Sequence, residues 1–291
     1  MLNGHMFKTV FLVLVLGIVG MNSFTYGEAV ASLNDTTPSF VVYYGVIEEE
    51  NIDVIASYDV AVVEPKGTTK AINEAIRAQD TEVFGYLSVM QVEYFDDFKL
   101  SAMTDEDFMM ENGKKMVREK SGNFIGDMRS DNYREMLIDV IEDRIIDKGY
   151  DGVFLDTVSY VSRFDDETNA ALEAGFIEFV KTVKKRHPEL KIFQNRGFDV
   201  YLAGSSQYVD YLLYENFMTE RINKYNYYKE LVNNLNVAAD ASKGKIFALS
   251  MQDELANLNS ASHLDWSYYY TEYETFYTEI PNAAPTYVAI N

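Results

Sequence analysis

Short apolar runs alternate with longer amphipathic stretches along most of the chain. The runs at 40–46, 60–64, 82–89, 152–156, 191–195, 208–215, 246–251 and 286–290 are rich in Val, Ile, Phe or Tyr and apolar nearly throughout. Continuous apolar strands of this kind mark a parallel sheet buried on both faces. Between them the spacing predicts helices over 68–79, 131–148, 166–186, 220–241 and 265–278. The second starts on an Asp cap at Asp131 and sets Met136, Ile138, Val140, Ile141, Ile145 and Ile146 along a face. It stops at Gly149, and the third stops before Pro188. Strand–helix alternation repeated about eight times is the pattern of an α/β fold of the (β/α)8 barrel type. A doubly wound open sheet is the alternative. It would usually carry a glycine-rich first turn, and the turn after Tyr44, GVIEEEN, is acidic instead. Residues 90–129 are expected to form a long irregular loop with a short helix, and the last strand to have no helix after it.

The first residues follow a different logic. Residues 9–20, TVFLVLVLGIVG, are an apolar run preceded by Lys8 and followed by the small-x-small pattern Ala29-Val30-Ala31. The run is short for a bilayer span and reads as a secretory signal peptide, 1–31, cleaved near Ala31. Met6 is an alternative start, and an uncleaved anchor the alternative reading. The expected organisation is then a polar lead-in at 32–38 and one catalytic-sized domain at 39–291, exported from the cytoplasm.

Composition narrows the chemistry. The 291 residues contain no Cys and three His, which excludes disulfide scaffolds, thiolate metal sites and a Cys nucleophile, and disfavours a multi-His metal centre. Lys and Arg number 25 against 46 Asp and Glu, for a net charge of -21. Such a chain has no positive field for nucleic acid or anionic membranes. Tyrosine, at 22 residues, offers a flat apolar face with a hydroxyl, suited to surfaces that meet sugar and water together.

In a barrel of this type the site lies at the C-terminal ends of the strands. Those ends read Tyr44-Gly45, Glu64-Pro65, Tyr86-Leu87-Ser88, Asp156-Thr157, Gln194-Asn195-Arg196, Tyr214-Glu215-Asn216 and Gln252-Asp253. A carboxylate closing an apolar strand is costly unless it has partners or a task. Asp156 and Glu215, on the fourth and sixth strands, would converge on one crevice. Such a pair meets the central need of glycoside hydrolysis, one carboxylate as nucleophile or base and one protonated as acid. Helix capping or ion pairing is the bland alternative for each, and a stronger one for Glu64 and Asp253. Asp127 and Arg129 read either as a cap with an ion pair or as a polar wall of the cleft. Gln194 and Asn195 stand where amides could bind sugar hydroxyls, and Tyr44, Tyr86, Tyr160 and Tyr214 could stack on sugar rings. No nucleophile-elbow, phosphate-loop or zinc-protease motif is present.

The segments VVYYG (41–45), DVAVVEP (59–65), GYLS (85–88), DGVFLDTV (151–158), QNRGFD (194–199) and YENF (214–217), in this order, resemble glycoside hydrolase family 114. The resemblance runs from about Ser39 to Asn291, and DGVFLDTV is its most specific part. It implies a secreted barrel endo-α-1,4-polygalactosaminidase, akin to the hydrolase domain of Pel polysaccharide proteins. It implies Asp156 as nucleophile and Glu215 as general acid/base. The chain also looks like the melibiase-type α-galactosidases, which place carboxylates after the same strands. The family usually has a further aspartate two or three residues past the fourth-strand Asp, where this chain reads Thr157-Val158-Ser159-Tyr160. The implied partner is a polysaccharide, cationic if its galactosamine amines are free, acted on by a monomer with no metal or other cofactor. A non-catalytic sugar-binding barrel is one alternative. A Mg²⁺ enzyme using Glu64, Asp156 and Glu215 as oxygen ligands is another.

Overall fold

The computed structural model describes residues 37–272 and 277–282. Eight parallel strands make one sheet in chain order: β1 (Phe40–Tyr43), β2 (Val60–Val63), β3 (Glu82–Ser88), β4 (Gly152–Asp156), β5 (Lys191–Asn195), β6 (Tyr211–Glu215), β7 (Lys245–Ser250) and β8 (Ser267–Tyr270). The sheet curls into a nearly closed barrel, with the Phe40 and Tyr269 rings 5.6 Å apart across the seam between β1 and β8.

The strands are apolar on both sides because both faces are covered. Successive side chains of a strand point to opposite faces. One set fills the barrel: Phe40, Val42, Val60, Val62, Phe84, Phe154, Phe193, Tyr211, Leu213, Phe247 and Leu249. The rings interlock there, Phe193 lying 5.2 Å from Phe154 and 4.8 Å from Phe247. The alternate set, including Val41, Val63, Val153, Leu155, Ile192, Leu212 and Ala248, packs against the outer helices.

Those helices are α1 (Ile52–Ile55), α2 (Lys70–Arg77), α3 (Asp97–Ala102), α4 (Asp131–Ile141), α5 (Asp166–Arg186), α6 (Phe198–Ala203), α7 (Thr219–Lys224), α8 (Asn226–Ser242) and α9 (Glu254–His263). The cap of α4 is Ser130, not Asp131, for its hydroxyl accepts from the Tyr133 amide at 3.2 Å. The predicted helix 131–148 is α4 followed by a π-helical stretch, Glu142–Ile146. In α5, Gly175 lets the helix sit against the chain before α4. A Cβ there would lie 2.1 Å from the Met128 carbonyl oxygen.

Two expectations are corrected. The predicted helix 220–241 divides at Tyr225, whose backbone is extended. The predicted helix 265–278 instead contains β8, because Tyr268 is buried against the helices while Tyr269 packs on Phe40. Tyrosines suit strands as well as this, and local spacing alone did not separate the two states. The predicted strand 286–290 lies outside the described residues; the eighth strand of the described sheet is β8. The stretch 90–129 holds α3 and two small antiparallel ribbons, Gln91–Val92 with Phe124–Ile125 and Met110–Glu111 with Lys114–Lys115.

Candidate active site

On several strands the inward series continues past the apolar filling into polar side chains. Two residues beyond Phe154 is Asp156, two beyond Phe193 is Asn195, and two beyond Leu213 is Glu215. On the other side of the barrel, Tyr44 follows Val42 and Tyr86 follows Phe84 in the same register. The site is thus the last layer of the barrel interior, built by the same two-residue period that builds its core.

These residues are wired together. Asn195 Nδ2 donates to Asp156 Oδ1 at 2.8 Å and to Glu215 Oε2 at 3.1 Å. The Tyr86 hydroxyl donates to Asp156 Oδ2 at 2.8 Å, and the Tyr277 hydroxyl donates to Glu215 Oε1 at 3.0 Å. The Tyr44 ring stands between the two phenols, 5.0 Å from Tyr86 and 5.3 Å from Tyr277. Asp156, Tyr86, Tyr44, Tyr277, Glu215 and Asn195 therefore close a ring, with Asn195 bridging one side and three tyrosines the other. Asn195 is buried, and its Oδ1 has no partner among the described residues.

Burial, and next the charge of Asp156, raise the Glu215 carboxyl above the usual range. The bonds from Asn195 and Tyr277 and the charge of Arg196 pull it partly back. Burial and the neighbouring Asp156 hold the Tyr44 and Tyr86 phenols well above their ordinary value. Burial and Glu215 do the same to Tyr277. All three phenols are therefore protonated at neutral pH, and those of Tyr86 and Tyr277 act as donors to the carboxylates.

The backbone leaves each of the three site strands through a left-handed residue. Thr157 after Asp156 has φ of 64°, Arg196 after Asn195 has 56°, and Asn216 after Glu215 has 60°. For a β-branched threonine this is a true outlier. Its hydroxyl compensates by accepting from the Met90 amide at 2.9 Å while bonded to Ser88 Oγ at 3.0 Å. Strained backbone of this kind clusters at functional sites.

The other residues singled out in the sequence fall elsewhere. Gln194 faces away from the barrel axis. It is fully buried, donates to the carbonyls of Arg196 and Gly197, and accepts from the Ser205 hydroxyl. Tyr214 also faces outward, packed on Phe198, Phe217 and Trp266. Both are one residue out of register with the inward series. Glu64 is in register after Val62, and it accepts from the Lys66 amide at 3.1 Å at the start of a short turn. It lies with Tyr86, Ser88, Glu93 and Lys99 around a small cavity of 30 Å³. Asp127 and Arg129 form a two-pronged ion pair, at 2.8 and 2.6 Å, with no bond to Asp156 or Glu215. Tyr160 lies under the Arg163 guanidinium, 4.1 Å from its ring centre. Asp253 is exposed at the start of α9. Among the described residues, no group of three or more Asp, Glu or His side chains is placed to hold a metal ion, and no helix is long and apolar enough to cross a membrane.

Tyr277 was not foreseen. It lies in a tyrosine-rich tail with nothing local to set it apart, and only the folded chain brings it to Glu215.

No curated protein sequence matches the chain. The glycoside hydrolase domain of PelA from Pseudomonas aeruginosa is 18% identical, with 81% of this chain and 95% of that one covered and a TM-score of 0.65. Ega3 from Aspergillus fumigatus, solved in complex with galactosamine, is 14% identical, with 80% and 90% covered and a TM-score of 0.58. The α-galactosidase TtGalA from Thermus thermophilus is 12% identical, with 81% and 58% covered and a TM-score of 0.55. At these identities the likeness is one of fold, and the neighbours are barrel glycoside hydrolases. The model of the glycoside-hydrolase family GH114 matches residues 28–245. The chain, with its paired carboxyls at the mouth of the barrel, belongs to glycoside-hydrolase family GH114.

Proposed function

We propose that this protein hydrolyses α-1,4-linked galactosamine-type polysaccharide by a retaining double displacement, with Asp156 as nucleophile and Glu215 as general acid/base. The observation that carries the reading is the pair of carboxyls joined through one Asn195 amide. One amide nitrogen reaching both carboxyls holds them close, which favours the about 5–5.5 Å separation of a retaining pair over the wider about 6.5–9.5 Å of an inverting one. Burial and the charge of Asp156 favour the proton on Glu215, which suits the acid.

In the first step an Asp156 oxygen attacks the anomeric carbon while Glu215 gives its proton to the leaving glycosidic oxygen. The glycosidic bond breaks as the Asp156 ester forms. In the second step a water attacks the same carbon. Glu215 takes its proton, the ester bond breaks and Asp156 is released as carboxylate. Tyr86 and Asn195 hold one Asp156 oxygen each by a single bond, so each keeps a lone pair for attack.

The substrate class rests on the family and on the galactosamine bound by Ega3. A net charge of -21 favours a polymer with free amines by long-range attraction, which salt would weaken. A secreted enzyme with a cleaved leader is the setting we infer from the apolar run at 9–20. The test is product analysis on a panel of α-linked amino-sugar polymers, with the Glu215→Gln protein as control. Release of galactosamine oligomers by the parent alone is expected. Binding of such oligomers without cleavage over long incubation would overturn the enzymatic reading in favour of a sugar-binding barrel.

A further inference from the structure

We propose that Tyr277, on the segment following β8, is a positioning residue that holds the Glu215 carboxyl in the orientation its acid/base role needs. The inference rests on that reading of Glu215 and adds a residue to it. Tyr277 lies beyond residues 28–245, the part of the chain that the family model matches.

Three contacts fix this residue over the seam of the barrel. Its hydroxyl donates to Glu215 Oε1 at 3.0 Å. Its carbonyl accepts from the Tyr44 amide at 2.6 Å, and its ring packs against the Tyr44 ring. Farther along, the Tyr58 hydroxyl donates to the Asn282 carbonyl at 2.6 Å, so the segment is anchored both at Tyr44 after β1 and at Tyr58 before β2. Tyr277 also has a φ of 62°. A bulky side chain in that region is strained and persists only where its surroundings enforce it. Here the enforced conformation directs a phenol at a carboxyl of the site.

The consequence for Glu215 follows from the groups around it. Asp156 on β4 repels its charge. Asn195 on β5 and the Arg196 that follows it favour the charge, and Tyr44 after β1 packs beside Tyr277. Tyr277 supplies one of only two hydrogen bonds the carboxylate accepts among the described residues. A donor to the charged form stabilises it. Removing the hydroxyl leaves Glu215 freer to rotate and holding its proton to higher pH.

The test compares the full-length protein with Tyr277→Phe, which keeps the ring, and Tyr277→Leu, which loses both ring and hydroxyl. The Glu215 carboxyl is titrated by NMR on ¹³C-glutamate-labelled protein, and Glu215→Gln identifies its resonance. Expected is a titration at higher pH in Tyr277→Phe, whose retained ring keeps Glu215 buried, with a melting temperature near the parent's. On a cleaved substrate the alkaline limb of kcat/KM moves the same way, because the acid must be protonated. A packing role alone would lower stability without moving either midpoint. If Glu215 titrates alike in Tyr277→Phe and the parent, the proposal is overturned. The titration needs no substrate, so failure to cleave galactosamine polymers would count against the functional reading and not against this one.

Discussion

Asp156 and Glu215 accept hydrogen bonds from the same amide nitrogen, that of Asn195, at 2.8 and 3.1 Å. One neutral donor on the intervening strand thus holds two carboxyls close that would otherwise repel. The arrangement explains why the pair can sit in a half-buried layer at all: each carboxyl has a second donor, Tyr86 or Tyr277, on its far side.

Asp156→Asn and Glu215→Gln should each lower kcat on the preferred polymer by about 10²–10⁴-fold, the usual contribution of a group that handles a proton or bond in the reaction. Losses below about tenfold in both would remove these residues from the chemistry. The first product seen by NMR should keep the anomeric configuration of the substrate. In Asp156→Asn, Glu215 should also titrate lower than in the parent, since a charge that raises it is gone.

Asn195→Asp should be worse tolerated than Asn195→Ala. It puts a third carboxyl where a donor stood, in a buried position. An uncompensated buried charge costs about 3–5 kcal/mol. The sign with pH is definite. The added carboxyl is pushed above its ordinary value, so the penalty is absent while it is protonated and grows as pH rises past it. Denaturant melts across pH would show the gap between the two variants widening toward neutrality; a constant gap would contradict it.

Thr157→Val keeps the shape of the side chain and the left-handed backbone but removes the hydroxyl. The Met90 amide, in a fully buried residue, then loses its acceptor. A cost of about 1–3 kcal/mol in chemical denaturation is expected, as for any buried donor left unpaired. Thr157→Gly would relieve the backbone while making the same loss, and should fall between Thr157→Val and the parent.

Away from the site, Asp96 and Arg144 form a two-pronged pair at 2.7 and 2.8 Å that ties α3 to the π-helical stretch after α4. Burial works against the charge on Asp96, but the Arg144 bond and charge outweigh it and lower the carboxyl from 3.8 to about 2. A depressed carboxyl contributes stability above its unfolded value and loses it as pH falls through the folded one. Asp96→Asn should therefore destabilise the protein at neutral pH by an amount near the lower end of about 3–5 kcal/mol. The difference should shrink between about pH 4 and pH 2. Melting curves that stay parallel over that window would refute the pairing argument.

Reading along the chain, the barrel and the two carboxyls were visible because both depend on local period. An apolar run buried on both faces announces a barrel strand, and a polar residue that ends it announces the mouth of the barrel. The same period, applied strictly, separates Asn195 from Gln194 and Glu215 from Tyr214. Neighbours in sequence point to opposite sides, so Gln194 and Tyr214 serve the outer layer. Local pattern misjudged β8, where Ser-Tyr-Tyr-Tyr suits a strand only because Phe40 and the outer helices are there to cover it.

The sequence by itself determined the class of fold, the candidate acids and the exclusion of thiol chemistry, since each follows from residue type and spacing. Tertiary structure decided how those acids are held. The bonds from Asn195 to Asp156 and Glu215, from Tyr86 to Asp156 and from Tyr277 to Glu215 each join residues far apart in the chain. They exist only once the sheet has curled enough to bring the ends of β3 to β6 around one axis and the tail back across the seam. Closure of a barrel is a property of all its strands together, and no local period encodes which side chains it will bring face to face.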